Sequence, residues 1–202
     1  GAQGVTLDML NSVKGSIEIL NLTDVHFSTT DLFLSEFTKL KSLDLSGVSI
    51  QTFCLVDATN VKTLTLTNAS IKELTLNSID SKIIDLSILK DTQTLKLALT
   101  GDIADAEKAF NSLNSACKSS IKELSLKNPS RITTLDLSGF TKLETLGLDL
   151  TVLTTLNLSN CNSLTKESFG KIPKGQITTL DLTGVDVRGF DFSGLDNLEN
   201  LT

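Results

Sequence analysis

The chain of 202 residues has no Trp and no Tyr, only two Pro, one Met, one His and three Cys. Each scarcity removes a class of function. With His26 as the sole imidazole, a Ser-His-Asp or Cys-His arrangement would rest on one loop residue between Val25 and Phe27. The ordinary role of such a residue is a surface or half-packed side chain. Cys54, Cys117 and Cys161 are odd in number and widely spaced, so they make neither a disulfide framework nor a metal-ligand pattern. Cys117 and Cys161 fall at apolar-patterned places and are expected to be buried thiols; Cys54 is placed in a short loop. The missing Trp and Tyr are the usual anchors of tight interfaces. Phe is the only aromatic, and most Phe sit where the pattern calls for core. No apolar run reaches the length of a membrane span, so no direct membrane insertion is expected. Lys and Arg number 18 against 24 Asp and Glu, and they are scattered, which leaves no basic footprint for nucleic acid. There is no P-loop, dinucleotide fingerprint or His/Cys cluster. The expectation is a non-enzyme without cofactor or metal.

One phrase is abundant: an aliphatic residue, two others, Leu, one other, Leu. It occurs at Ile17–Leu20–Leu22, Leu40–Leu43–Leu45, Val61–Leu64–Leu66, Ile71–Leu74–Leu76, Ile121–Leu124–Leu126, Ile132–Leu135–Leu137, Leu143–Leu146–Leu148, Leu153–Leu156–Leu158 and Ile177–Leu180–Leu182. Weaker copies lie at Ile84–Leu86 and Leu95–Leu97. In an extended segment two Leu flanking one residue point the same way. One unit cannot cover its own apolar face, but parallel stacked copies bury each other's Leu. The middle Leu recurs at 20, 43 and 64 and again at 156, 180 and 201, steps of 23, 21, 24 and 21. In between, positions 64, 74, 84 and 95 and positions 124, 135, 146 and 156 are only 10 or 11 apart. That half-period predicts coils with an extended segment on both faces and a thin cross-section.

The phrase and its spacing resemble the leucine-rich repeat family over about Ser16 to Thr202, and the half-period is similar to internalin-like bacterial surface repeats. The resemblance implies an α/β solenoid, with a parallel β-sheet on the concave face and short helices or extended segments on the convex face. The family usually carries Asn or Cys three residues after the last Leu. Here Val25, Val48, Ala69, Leu89, Phe140 and Val185 hold that place, and only Cys161 fits.

A single domain over 1–202 is expected. Thr6–Lys14, within a possible 1–15 cap, has a helical pattern ending at Gly15. Residues 102–118 carry Ile103, Ala106, Phe110, Leu113 and Cys117 at helical spacing behind a capping Asp102. Shorter helices are expected at Thr30–Leu40 and at Leu164–Ile172 before Pro173. Asn197–Thr202 reads as the start of another unit, which implies repeats beyond Thr202 or an edge covered by dimerisation. Asn21, Asn68, Asn157 and Asn200 head glycosylation-type triplets that the repeat produces by itself.

The outward residues of the strands remain for function. Their middle column runs Asn21, Asp44, Thr65, Asp85, Asp136, Asn157, Asp181. Of these, Asp44, Thr65, Asp85, Asp136, Asn157 and Asp181 are the candidate binding residues, an acidic stripe among Ser and Thr suited to a basic or hydroxyl-rich protein or glycan. The alternative is a solvated sheet face with no ligand. The expected function is a binding module of a secreted or surface-exposed bacterial protein. Two other readings are a structural spacer in a larger surface protein, and an intracellular leucine-rich adaptor suggested by the longer turn around Cys161.

Overall fold

The computed structural model describes residues 6–27, 30–89, 91–100, 110, 113, 115–127 and 132–202. The chain winds into a parallel β-solenoid of about eight turns. The strands in chain order are β1 (Ile19–Asn21), β2 (Asp31–Phe33), β3 (Ser42–Asp44), β4 (Ser49–Leu55), β5 (Thr63–Thr65), β6 (Ser70–Asp80) and β7 (Thr94–Thr100). They continue with β8 (Glu123–Lys127), β9 (Thr134–Asp136), β10 (Thr145–Asp149), β11 (Thr155–Asn157), β12 (Thr179–Asp181) and β13 (Asn200–Leu201). Helices α1 (Leu7–Asn11), α2 (Ser115–Lys118) and α3 (Lys166–Gly170) are short.

Leucine sits beside leucine in register. In one wall Leu20 pairs with Leu43 and Leu43 with Leu64, in the order β1-β3-β5. Further along that series of strands Leu135, Leu156, Leu180 and Leu201 align in the order β9-β11-β12-β13. The other wall is a single six-stranded sheet, β2-β4-β6-β7-β8-β10, whose centre line is Leu32, Phe53, Leu74, Leu95, Leu124 and Leu146. The half-period copies around Leu74, Leu95, Leu124 and Leu146 therefore build this second wall. All six of its centre-line residues are 0–1% exposed. At roughly 1.5–3 kcal/mol per buried side chain, this stacking is the main favourable term.

The corners follow a second rule. Val25, Val48, Ala69, Leu89, Phe140, Cys161 and Val185 each donate a backbone N–H to the carbonyl three residues back, at 2.9–3.2 Å. The residue at this place thus closes a β-turn; Val48, Ala69, Leu89, Phe140 and Cys161 are buried, and Val25 and Val185 pack partly buried against the core. Cys161 also reaches the neighbouring coil, its Sγ 3.3 Å from the Leu137 carbonyl. The residue before the closing one has positive φ at Asp24, Gly47, Asn68, Gly139, Asn160 and Gly184, as a type II turn requires. At Gly47 a Cβ would meet the Asp24 Oδ1 of the previous coil at 1.9 Å.

The four helical expectations meet different outcomes. Thr30–Leu40 contains strand β2, followed by turns in which Phe37 donates to the Leu34 carbonyl and Leu40 to that of Phe37. Over so short a stretch, apolar residues three apart suit consecutive β-turns as well as a helix, and pairing with β4 selects the former. Thr6 caps α1 and Thr165 caps α3, each accepting a backbone N–H three residues on. Most of 102–118 lies outside the described residues; within it Phe110, Leu113 and Cys117 are buried and Ser115–Lys118 is helical. Cys54 is on β4 rather than in a loop.

The turn geometry makes a stability prediction. Gly139 has φ +89°, and the nearest atom to an added Cβ is 4.0 Å away. Gly139→Ala should therefore lower stability by ~1–2 kcal/mol through backbone strain alone. Gly139→Asn should cost less, because Asn68 and Asn160 hold the same place natively. Urea unfolding of the two variants checks the order.

Candidate functional site

The six candidate residues are not one continuous row. Asp44 on β3 lies between Asn21 on β1 and Thr65 on β5. Asn157 on β11 lies between Asp136 on β9 and Asp181 on β12. Asp85 belongs to no strand. The structure thus brings the column together as two separate triplets, and the single sheet expected for this wall is divided.

Within each triplet acid and neutral residues alternate. Neighbouring parallel strands are ~4.8 Å apart. Two carboxylates on adjacent rungs would repel by about 0.9 kcal/mol in water, and on alternate rungs by about 0.4 kcal/mol. Asn157 keeps Asp136 and Asp181 two rungs apart, and Asn21 and Thr65 leave Asp44 without a charged neighbour on either side.

The carboxylates have a local task. Asp44, Asp85, Asp136 and Asp181 each accept, through Oδ1, the backbone N–H two residues on, at 2.8–2.9 Å. Asn21 and Asn157 do the same at 2.9 Å. This Asx geometry ends the strand and starts the corner. Ser46, Ser87 and Thr183 then donate their hydroxyls to the same Oδ1 atoms, at 2.6, 2.5 and 2.6 Å. A hydroxyl has one proton, and a carboxylate has none. With those protons used internally, these pairs offer acceptors outward. Thr63 also spends its proton, donating to Ser42 Oγ at 2.7 Å. The stripe is suited to donor-rich, cationic groups.

The same bonds shift acidity. The Ser46 hydroxyl, then its backbone N–H, hold the Asp44 carboxyl below its ordinary value, and Thr183 does so for Asp181 in the same order. The stabilisation is fully present above the unfolded carboxylate range near pH ~4 and is lost as pH falls through the lower folded value.

The thiols are quiet. Burial, and secondarily the charge of Asp91, pushes Cys117 up to about 11; burial, then Asp136, pushes Cys161 up to about 12. Burial also raises half-exposed Cys54. His26 is exposed, with Nδ1 3.1 Å from the Asp24 carbonyl. Among the described residues no group of three or more His, Cys, Asp or Glu is placed to hold a metal, and no helix is long and apolar enough to cross a membrane.

A second outward surface was not read from the sequence. On the six-stranded wall one column runs Asp31, Thr52, Glu73, Thr94, Glu123, Thr145, again acid alternating with neutral. Beside it runs Phe33, Cys54, Thr75, Lys96, Ser125, Gly147. Lys96 reaches across to Glu123 at 2.9 Å, an exposed pair worth little. The half-period copies carried the signal for this face, since each Leu pair of Leu74–Leu76 and Leu124–Leu126 brackets one outward residue. No family model, curated protein or solved structure matches the chain.

Asp44→Ala should destabilise the fold by ~1 kcal/mol, because it removes the turn-forming acceptor from a half-buried site. Asp44→Asn keeps Oδ1 and should stay close to the parent, while flattening the loss of stability below pH ~4. Thermal melts across that pH range measure both. In native buffer a disulfide-exchange dye should report Cys54 at most, and fast reaction of Cys117 or Cys161 would contradict the packing.

Proposed function

We propose that this chain is a non-enzymatic binding module of the leucine-rich repeat type, which docks a cationic segment of another protein along the outward acidic triplets. The wall with the Asp and Asn turns is then the concave face, and the setting is a secreted or surface-exposed bacterial protein. The observation that carries this reading is the one-sided hydrogen-bonding capacity of the stripe. Asp85 and Asp181 keep an oxygen for a partner, and Asp44 shares its carboxylate with Thr23 as well, while the neighbouring hydroxyl protons are consumed by the turns. A glycan needs donors as well as acceptors from its site, so a Lys- or Arg-bearing protein segment fits better. The alternating charges would meet cationic groups spaced two rungs apart, ~9.6 Å.

The Asx geometry supplies a clean test. Asp44→Asn, Asp136→Asn and Asp181→Asn together remove three charges and retain every turn acceptor, as Asn21 and Asn157 already do. Binding of a capped peptide with Lys at every third position, ~9.3 Å apart on one face of a polyproline-type segment, should weaken at least about tenfold, at ~0.5 kcal/mol per lost pair. The melting temperature should hold within a few degrees. Unchanged affinity would remove the stripe from consideration and leave the spacer reading in its place.

A further inference from the structure

An interior sheet edge has to be closed, because unpaired strand N–H and C=O groups recruit other chains. At the end of the six-stranded wall this is done by a side chain. The Ser168 hydroxyl of α3 accepts the Leu146 N–H at 2.6 Å and donates to the Leu146 carbonyl at 3.2 Å, so β10 meets a capped edge.

Among the described residues β5 in the other wall has no such cover. Its partner β3 takes the peptide groups of Thr63 and Thr65: the Thr63 N–H donates to the Lys41 carbonyl, and the Thr65 carbonyl accepts from Leu45. Alternation along a parallel strand then aims the N–H and C=O of Leu64 at the opposite edge. No strand pairs there among the described residues. The chain departs from the position a next strand would take. The ladder shifts register after Asn77, Ser78 has φ +57°, and Ser81–Ile83 forms a 3₁₀ turn. Between that turn and β5 lies a cleft of about 570 Å³ that includes Leu64, Ile83, Lys62, Lys82 and Asp80 in its lining. Leu64 is only half-buried, whereas its counterparts Leu43, Leu156 and Leu180 are 0–1% exposed.

We propose that this cleft takes an extended acidic segment of a partner protein, added as a further strand on β5. Backbone pairing with Leu64 supplies the attachment, and Leu64 with Ile83 supplies an apolar floor for one side chain of the incoming segment. The charge preference follows from the rim. Lys62 and Lys82 are exposed and form no ion pair among the described residues. Asp80 turns its Oδ1 onto the backbone N–H of Lys82 at 3.0 Å. Against the single Asp80 carboxylate of the lining, the two ammonium groups leave this edge net positive on a chain of net charge −6, which favours carboxylates. This site uses a strand edge and does not depend on the acidic stripe.

The probe is a short capped peptide of alternating Glu and Val, titrated against the full chain at low salt, with labelled-peptide anisotropy and amide NMR shifts as readouts. Binding should shift the amides of Leu64 and Leu66. N-methylation of alternate peptide nitrogens in the frame facing β5 should weaken it at least about tenfold, and methylation in the other frame should not. Lys62→Glu with Lys82→Glu should weaken it by about tenfold with unchanged circular dichroism. The Asn triple variant described above should bind this peptide as the parent does, which separates the two sites. No binding, equal sensitivity of both methylation frames, or equal binding of an alternating Lys and Val peptide would overturn the proposal. So would a dimer seen by sedimentation and abolished by the two lysine substitutions, because the edge would then belong to a second copy.

Discussion

Parallel stacking of in-register leucines is the interaction on which everything else depends. No coil of this chain has a core of its own. Leu43 is buried because Leu20 and Leu64 lie one rung to either side, and Leu124 because Leu95 and Leu146 do. Nearest-neighbour burial of this kind makes stability a sum over rungs. It also explains why the fold manages with few Pro, no disulfide and short helices: the ordering entropy is offset rung by rung.

The corners keep the rungs in register. A strand must end at the same place in each coil, or its inward Leu turns outward, since a one-residue slip reverses every side chain. The Asp or Asn acceptor, the positive-φ residue and the apolar turn-closing residue occur together at most corners and stop the strand at a defined point. The acidic column is therefore first a folding device. The docking role proposed for it would use only the acceptor capacity that the turns leave over.

Where stacking is interrupted, the molecule handles its edges unequally. Ser168 satisfies both peptide groups of Leu146, and Thr92, almost fully buried, donates to the Ile71 carbonyl at 2.8 Å. Among the described residues the β5 edge has neither kind of closure. The chain reaches it just after a bulge at Ser78, the one place among the described residues where register is lost within a strand pair. Irregularity and open valence coincide there.

Much of this was legible in linear form. The Leu phrase marks which side chains go inside, because strand alternation is a local property, and the half-period marks the second wall. The Asx acceptors were visible as a column, although their turn-forming bonds were not. Other features depended on the path of the chain through space. Asp31–Phe33 is a strand because β4 is there to pair with it; the same apolar spacing alone suits a helix. The division of one wall into two sheets, the separation of Asp85 from both, the Ser168 cap and the open edge at Leu64 all follow from where a coil lands relative to its neighbour. Local pattern sets which face of a segment seeks the core, but hydrogen-bond pairing is made between residues twenty or more apart, and only the folded path brings those edges together or keeps them apart.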